Sequence, residues 1–448
     1  MIYFVGIKGV GMTALAQVLQ AQGMKVMGSD IAETFMTDKV LAQAHISVKS
    51  PFHQDNIPQD IQYAVISGAY YQKDKTPTNP EVIELLSRNI PIFTYSEALG
   101  KVSELFATTI AVAGSHGKTT TSALLTYTLQ ELNQNPFGVI GSFVPQFNGN
   151  ACIGDTQSQY LVVEADEYQN HFLDLNIQCL IILNVDYDHP DYFPTPQLYY
   201  QAFIQAIHKL PIHKPLIING DDETIKTHIL PFIEKDRMII TFGLHSHNDI
   251  TLNDQYEVSV KGVSYPKIDL LIPGNHNRCN ALAVIAVLDY LGLDIHQGIK
   301  KMKQFRGTQR RLEYKGVSKN GATLIDDYAH HPTEISAGIQ ALREAYPQHT
   351  LHCVFQPHTF SRTESLLQEF GKALSQADNV YILPIYGSAR EEIGTITSED
   401  ILPFINNTHT RLYSDIALLL SDVEILTDKD VIVTMGAGDV WKIINNML

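Results

Sequence analysis

The residues best suited to chemistry form a glycine-rich turn that ends in lysine and threonine: Ala113-Gly114-Ser115-His116-Gly117-Lys118-Thr119-Thr120. The turn follows a short apolar run at 109–113 and opens a helix-period segment carrying Leu124, Leu125 and Leu129. That order fits a phosphate-binding loop. Turn amides and the helix dipole face the anion, Lys118 reaches the terminal phosphates, and Thr119 can hold Mg²⁺. The strict G-x-x-x-x-G-K-T pattern needs glycine at Val112, so the loop is a shortened variant. Glu164, Asp166 and Glu167 lie just past the run 160–163 and offer the oxygen ligands such a metal prefers. A second polar stretch, Asn184-Val185-Asp186-Tyr187-Asp188-His189, ends a further apolar run. On ligand chemistry alone, His189 reads as a hydrogen-bonding group and not as a magnesium ligand.

An earlier glycine turn, Gly6-Ile7-Lys8-Gly9-Val10-Gly11, lies between a strand pattern and a helix pattern. Its spacing is G-x-x-G-x-G, not the dinucleotide fingerprint, although Asp30 follows where a ribose ligand would sit. A nucleotide site and a plain tight turn are both open readings.

The elements that must position these groups follow from composition and periodicity. A chain of 448 residues, 44 % hydrophobic and 18 % charged, suits about three globular domains. The longest apolar run, 281–288, is far short of the roughly 20 residues of a membrane span. The net charge is −16, without a basic stretch, which argues against nucleic acid and anionic membranes as partners. Four scattered cysteines and no signal-peptide pattern lead us to expect a cytoplasmic protein without disulfides or a zinc site. Short apolar runs (2–7, 26–30, 63–67, 109–113, 160–163, 179–183, 215–219, 238–242, 323–326, 352–355, 379–383, 431–435) alternate with helix-period segments. This is the pattern of α/β domains with parallel sheets. The break at 94–107 reads as a linker, and 300–307 as a second short connection. The expected domains are a Rossmann-like 1–103, a P-loop ATPase-type parallel-sheet domain 104–303, and a Rossmann-like α/β domain 304–448.

Taken together, Gly114-Ser-His-Gly-Lys-Thr-Thr, Glu164-Ala-Asp-Glu167 and Asn184-Val-Asp-Tyr-Asp-His189 resemble the Mur ligase family. The likeness continues through Gly274-Asn-His-Asn277-Arg-Cys-Asn280-Ala, Arg310-Arg311-Leu-Glu313 and Asp326-Asp-Tyr-Ala-His330-His-Pro-Thr-Glu334. It then takes in Phe355-Gln-Pro-His358-Thr-Phe-Ser-Arg362-Thr363 and Gly436-Ala-Gly438-Asp439, so it spans essentially the whole chain. The family comprises ATP-dependent amide-bond ligases that build the peptidoglycan precursor.

The resemblance implies a first domain holding the UDP end of UDP-N-acetylmuramate through Gly6, Gly9, Gly11, Met12, Ser29, Asp30 and Ser67. It implies ATP bound by Gly114, Ser115, His116, Gly117, Lys118, Thr119 and Thr120, with His276, Asn277, Asn280, Arg311 and Asp326. Mg²⁺ would be held by Thr119, Glu164 and His189, the last against the reading from chemistry alone. Tyr328, His358 and Arg362 would receive L-alanine, with Lys118, His358 and Arg362 as the catalytic set. Arg362 is also the natural forked partner for a carboxylate on physical grounds. Several positions depart from the alanine-adding branch: Thr359 replaces an arginine whose role Arg390 could take, Ser142 replaces a glycine, and Cys152 replaces an arginine. The alternatives are a recycling ligase that adds a whole tripeptide to the same sugar nucleotide, a nicotinamide oxidoreductase, and a nucleotide switch without ligase chemistry.

Overall fold

The computed structural model describes residues 1–71, 76–387, 394–406 and 409–448. Arg390, offered above as a substitute anion contact, lies outside the described residues. The architecture is α/β with three sheets.

The first sheet is five-stranded and parallel, in the spatial order Ser47–Lys49, Val26–Ser29, Ile2–Val5, Tyr63–Ile66, Ile92–Thr94. Ile2–Val5 is buried on both faces, as expected of a central parallel strand. In the ten-stranded second sheet, Thr108–Ala113 sits between Cys179–Ile182 and Tyr160–Glu164, parallel to both. The polar segments that follow these three strands therefore emerge side by side at the C-terminal end of the sheet. The third sheet is six-stranded. Its parallel part runs Thr323–Asp327, Asp430–Met435, Thr350–Phe355, Asn379–Ile382, Thr410–Leu412, with Glu313–Val317 antiparallel at one edge.

Two compact units emerge. One joins Met1–Asp186, Pro196–Asp269 and Cys279–Arg306; the other joins Tyr187–Thr195, Leu270–Arg278 and Gly307–Leu448. Within the first unit, Asn150 donates to the Val10 carbonyl, and a Cβ at Gly100 would stand 2.3 Å from the Asp174 carbonyl oxygen. The first two sheets are thus closely packed.

The segment 94–107, expected as a linker, is instead mostly the helix Tyr95–Ser103. Thr94 accepts from the Glu97 amide while the Glu97 carboxylate accepts from the Thr94 amide, a reciprocal cap that starts a helix at once. The expected connection at 300–307 likewise begins inside the helix Ile295–Met302, capped by Asp294. The sequence reading also missed the three short strands Ile250–Leu252, Glu257–Val260 and Val263–Lys267 that extend the second sheet. All four cysteines are free thiols; burial pushes each of them up to about 12. Among the described residues, no helix is long and apolar enough to cross a membrane.

Candidate active site

The phosphate loop is shaped by two glycines in backbone conformations that other residues rarely adopt. Gly114 has φ +132° and Gly117 has φ +84°, which starts the helix Lys118–Glu131. A Cβ at Gly117 would stand 2.8 Å from Asn280 Oδ1, so Asn280 lies directly against the loop. Asn184 clamps the loop from the neighbouring strand end. Its Oδ1 accepts from the His116 amide at 2.8 Å, and its Nδ2 donates to the His116 carbonyl at 3.0 Å. His116 Nε2 is 3.1 Å from Asp186 Oδ2. Ser115 Oγ lies 2.7 Å from the Tyr199 hydroxyl and donates to the Asp186 carbonyl at 2.7 Å.

Lys118 Nζ donates to Glu167 Oε2 at 2.7 Å and to the Gly114 carbonyl at 2.6 Å. Burial works against a charge there, but Glu167, Asp166 and Glu164 outweigh it and hold the ammonium above the ordinary lysine range. Thr119 Oγ1 donates to Glu164 Oε1 at 2.8 Å, and the Gly141 amide donates to Glu164 Oε2 at 2.7 Å. A Cβ at Gly141 would come within 2.5 Å of that oxygen, so any side chain there would push the carboxylate out of its present position. Thr119 and Glu164 are oxygen donors held together, a set that fits a small hard dication. The loop amides, Lys118 and the two glycines likewise fit a polyphosphate. His189 belongs to the second unit and has a left-handed backbone, φ 58°.

In the first sheet, Gly6 has φ +82°, and a Cβ there would meet Ser67 and the Tyr70 ring within 2.8 Å. A Cβ at Gly11 would meet Tyr95 at 2.7 Å. Met12 is buried in the helix Val10–Ala21, while Gly9 has nothing nearer than 3.6 Å. Asp30 accepts from the Lys8 amide at 2.7 Å, which ties it to the glycine turn. Ser29 is fully buried and donates to Glu81, a residue the sequence reading did not single out. Glu81 is itself fully buried and also accepts from Tyr3, the His53 amide and Asn56.

The second unit gathers the remaining candidates. Asp326 pairs with Arg310 (3.1 Å) and accepts from Thr434 (2.8 Å), whereas Arg311 pairs with Glu334 (3.4 Å). Arg310, not Arg311, is therefore the direct partner of Asp326. Both guanidiniums lie close to the Tyr328 ring, at 4.9 and 5.3 Å from its centre. His358 stacks on Tyr386 and has the His330 ring 6.2 Å away. His330 Nδ1 lies 2.9 Å from the Tyr328 carbonyl, which can only accept, so Nδ1 carries the proton. Burial depresses His330 to about 3 and His276 to about 4, so both are neutral near pH 7. Asn277 donates to the Pro273 carbonyl at 2.7 Å. Thr359 has φ 68°, a strained value for a β-branched residue, in the turn that begins the helix Phe360–Ser365. The Arg362 fork, expected to hold a substrate carboxylate, is engaged by Asp188 at 2.9–3.2 Å.

Burial raises Asp327 to about 7; Arg311 opposes the shift, while Glu334 and Asp326 add to it. Between about pH 4 and about 7 the folded chain thus holds a proton at Asp327 that the unfolded chain has released, and stability declines across that window as pH rises. Asp327→Asn should therefore gain thermal stability over the parent, by a margin that grows from pH 5 to 7.5 and reaches several degrees. A margin independent of pH in thermal unfolding would contradict this.

Residues 1–107 match the Mur ligase family, catalytic domain; 112–288 match the Mur ligase middle domain; 310–438 match the Mur ligase, glutamate ligase domain. The chain is 37 % identical to the UDP-N-acetylmuramate–L-alanine ligase of Desulfitobacterium hafniense, over 99 % of this chain and 98 % of that protein. It is 36 % identical to the ligase of the same name from Streptococcus equi subsp. zooepidemicus, over 98 % and 95 %. The crystal structure of the UDP-N-acetylmuramate–alanine ligase of Thermotoga maritima superposes with a TM-score of 0.79 at 27 % identity, covering 100 % of this chain and 97 % of that one.

Proposed function

From the fact that this chain belongs to the Mur ligase family, we propose a specific division of labour for an enzyme that joins L-alanine to the lactyl carboxylate of UDP-N-acetylmuramate at the expense of ATP. The reaction class is an ATP-dependent amide-bond ligation in peptidoglycan precursor synthesis. A carboxylate resists an amine at neutral pH because oxide is a poor leaving group. Conversion to an acyl phosphate supplies a good one, and the amine then displaces phosphate.

In this reading, residues 1–103 hold the UDP end of the sugar nucleotide, 104–303 the ATP, and 304–448 the amino acid. Gly6, Gly11, Ser67 and Asp30 shape the turn for the sugar nucleotide. Lys118 and the amides of Gly114 to Thr120 bind the phosphates and neutralise the charge that builds up as the phosphoryl group moves. Thr119 and Glu164 would hold Mg²⁺, with His189 as a further ligand, and the ion would screen phosphate charge. Asn280, Asn277 and His276 are assigned to the adenine side, and Arg311 and Asp326 to nucleotide binding. Tyr328, His358 and Arg362 receive L-alanine. A reaction that draws on ATP and a UDP-sugar fits the cytoplasm, where both are made.

The observation that carries the assignment is the phosphate loop with Lys118 on Glu167 and Thr119 on Glu164, in a chain matched over nearly its full length to alanine-adding ligases. ADP release with UDP-N-acetylmuramate and Mg²⁺ should be faster with L-alanine than with the L-Ala-D-Glu-diaminopimelate tripeptide by roughly tenfold or more. Preference for the tripeptide would instead make this the recycling ligase.

A further inference from the structure

Asp188, in the polar stretch that ends at His189, forms a deeply enclosed ion pair with Arg362 in the second unit. Asp188 and Arg362 are 5 % and 6 % exposed. Asp188 Oδ1 accepts from Arg362 Nε at 3.0 Å and from Nη2 at 2.9 Å, and Oδ2 lies 3.2 Å from Nη2. These bonds use one side of the guanidinium. Nη1 reaches the His358 carbonyl at 3.5 Å, the limit of a hydrogen bond, and the guanidinium has no other hydrogen-bond partner among the described residues. With five N–H donors in a rigid plane, an arginine gripped along its Nε/Nη2 side can still offer the Nη1/Nη2 end to a second carboxylate.

A buried ion pair is a poor stabiliser, because desolvation offsets most of the attraction, and an apolar pair of the same volume often does as well. This one adjoins His358, whose carbonyl faces the arginine and whose ring neighbours His330, itself packed edge-on to Tyr328. Orientation of the arginine explains its presence there better than stability does. A free arginine has several rotatable bonds and would lose that freedom on binding substrate, whereas a clamped one has lost it already. We infer that Asp188 is a positioning residue for the amino-acid substrate: it grips one side of Arg362 so that the Nη1/Nη2 end forms the dock for the amino acid's carboxylate. The inference rests on the assignment of Arg362 to the amino-acid pocket.

A double-mutant cycle on the full chain tests it, with KM measured separately for L-alanine, ATP and UDP-N-acetylmuramate, and folding followed by thermal unfolding. Asp188→Asn should raise KM for L-alanine by at least about tenfold, with KM for the other two substrates and the Mg²⁺ requirement changed less than about twofold. In an Arg362→Ala background the same substitution should have almost no further effect on KM for L-alanine. Asp188→Glu, which keeps the charge one methylene farther along, should restore part of the loss and serves as the test if Asp188→Asn folds poorly. If Arg362→Ala raises KM for L-alanine while the Asp188 variants leave it unchanged, the positioning role is wrong and the assignment of Arg362 stands. Equal effects of Asp188→Asn in both backgrounds also overturn it, because they show action independent of Arg362. If Arg362→Ala itself leaves KM for L-alanine unchanged, the assignment of Arg362 falls, and the role of Asp188 with it.

Discussion

Lys118→Ala should reduce turnover by at least about a thousandfold, the upper range for loss of one preorganised charge that stabilises a transition state. The lysine ammonium is enclosed by the Gly114 and Ser115 carbonyls and Glu167. Three nearby carboxylates keep it charged despite burial. No other cation is contributed by the loop sequence from Ala113 to Thr120, apart from what His116 could supply on protonation. Removal also deprives buried Glu167 of its ion pair, which by itself destabilises the fold. The double variant Lys118→Ala with Glu167→Gln separates the two effects: thermal stability should recover while ADP release stays at the level of the single variant. Turnover within tenfold of the parent would remove the phosphate-loop assignment.

Glu164→Gln should reduce turnover by roughly a hundredfold or more and shift the Mg²⁺ requirement to higher concentration. Both carboxylate oxygens accept a hydrogen bond, from Thr119 and from the Gly141 amide. Glutamine can satisfy one of these donors through its oxygen but then turns an NH₂ group toward the other. It also carries no charge with which to hold a dication. A Mg²⁺ titration of initial rates distinguishes the outcomes. An unchanged magnesium dependence, even with reduced turnover, would mean that Glu164 supports the loop without serving the metal.

The legibility of this site in the sequence follows the distance over which each part is encoded. The phosphate loop is local: strand, glycines, lysine and helix start lie within about a dozen consecutive residues, and they fold as their types dictate. Asn184 is different. Its grip on His116 joins positions 68 residues apart and depends on the two strands being neighbours, which no spacing rule reveals. Arg310 pairs with Asp326 while its neighbour Arg311 pairs with Glu334, a division that the Arg-Arg doublet does not announce in sequence. Asp188 and Arg362 are 174 positions apart, so the occupant of the fork was invisible although the fork itself was not. The helix Tyr95–Ser103 has a legible start, since Thr94-x-x-Glu97 is a capping signature, but the break in the apolar pattern there masks it. The strand Val263–Lys267 is largely exposed and carries little periodic signal, whereas Glu257–Val260 alternates polar and buried apolar residues but is only four residues long.

The state of the sulfur atoms has a practical consequence. With every native thiol held near 12, the thiolate that attacks maleimides, peroxide or mixed disulfides is scarce at neutral pH. Fluorophores or spin labels can therefore be directed to a single introduced surface cysteine in the otherwise unaltered polypeptide, without first removing the native four, of which Cys152, Cys179 and Cys353 are buried and Cys279 is partly so.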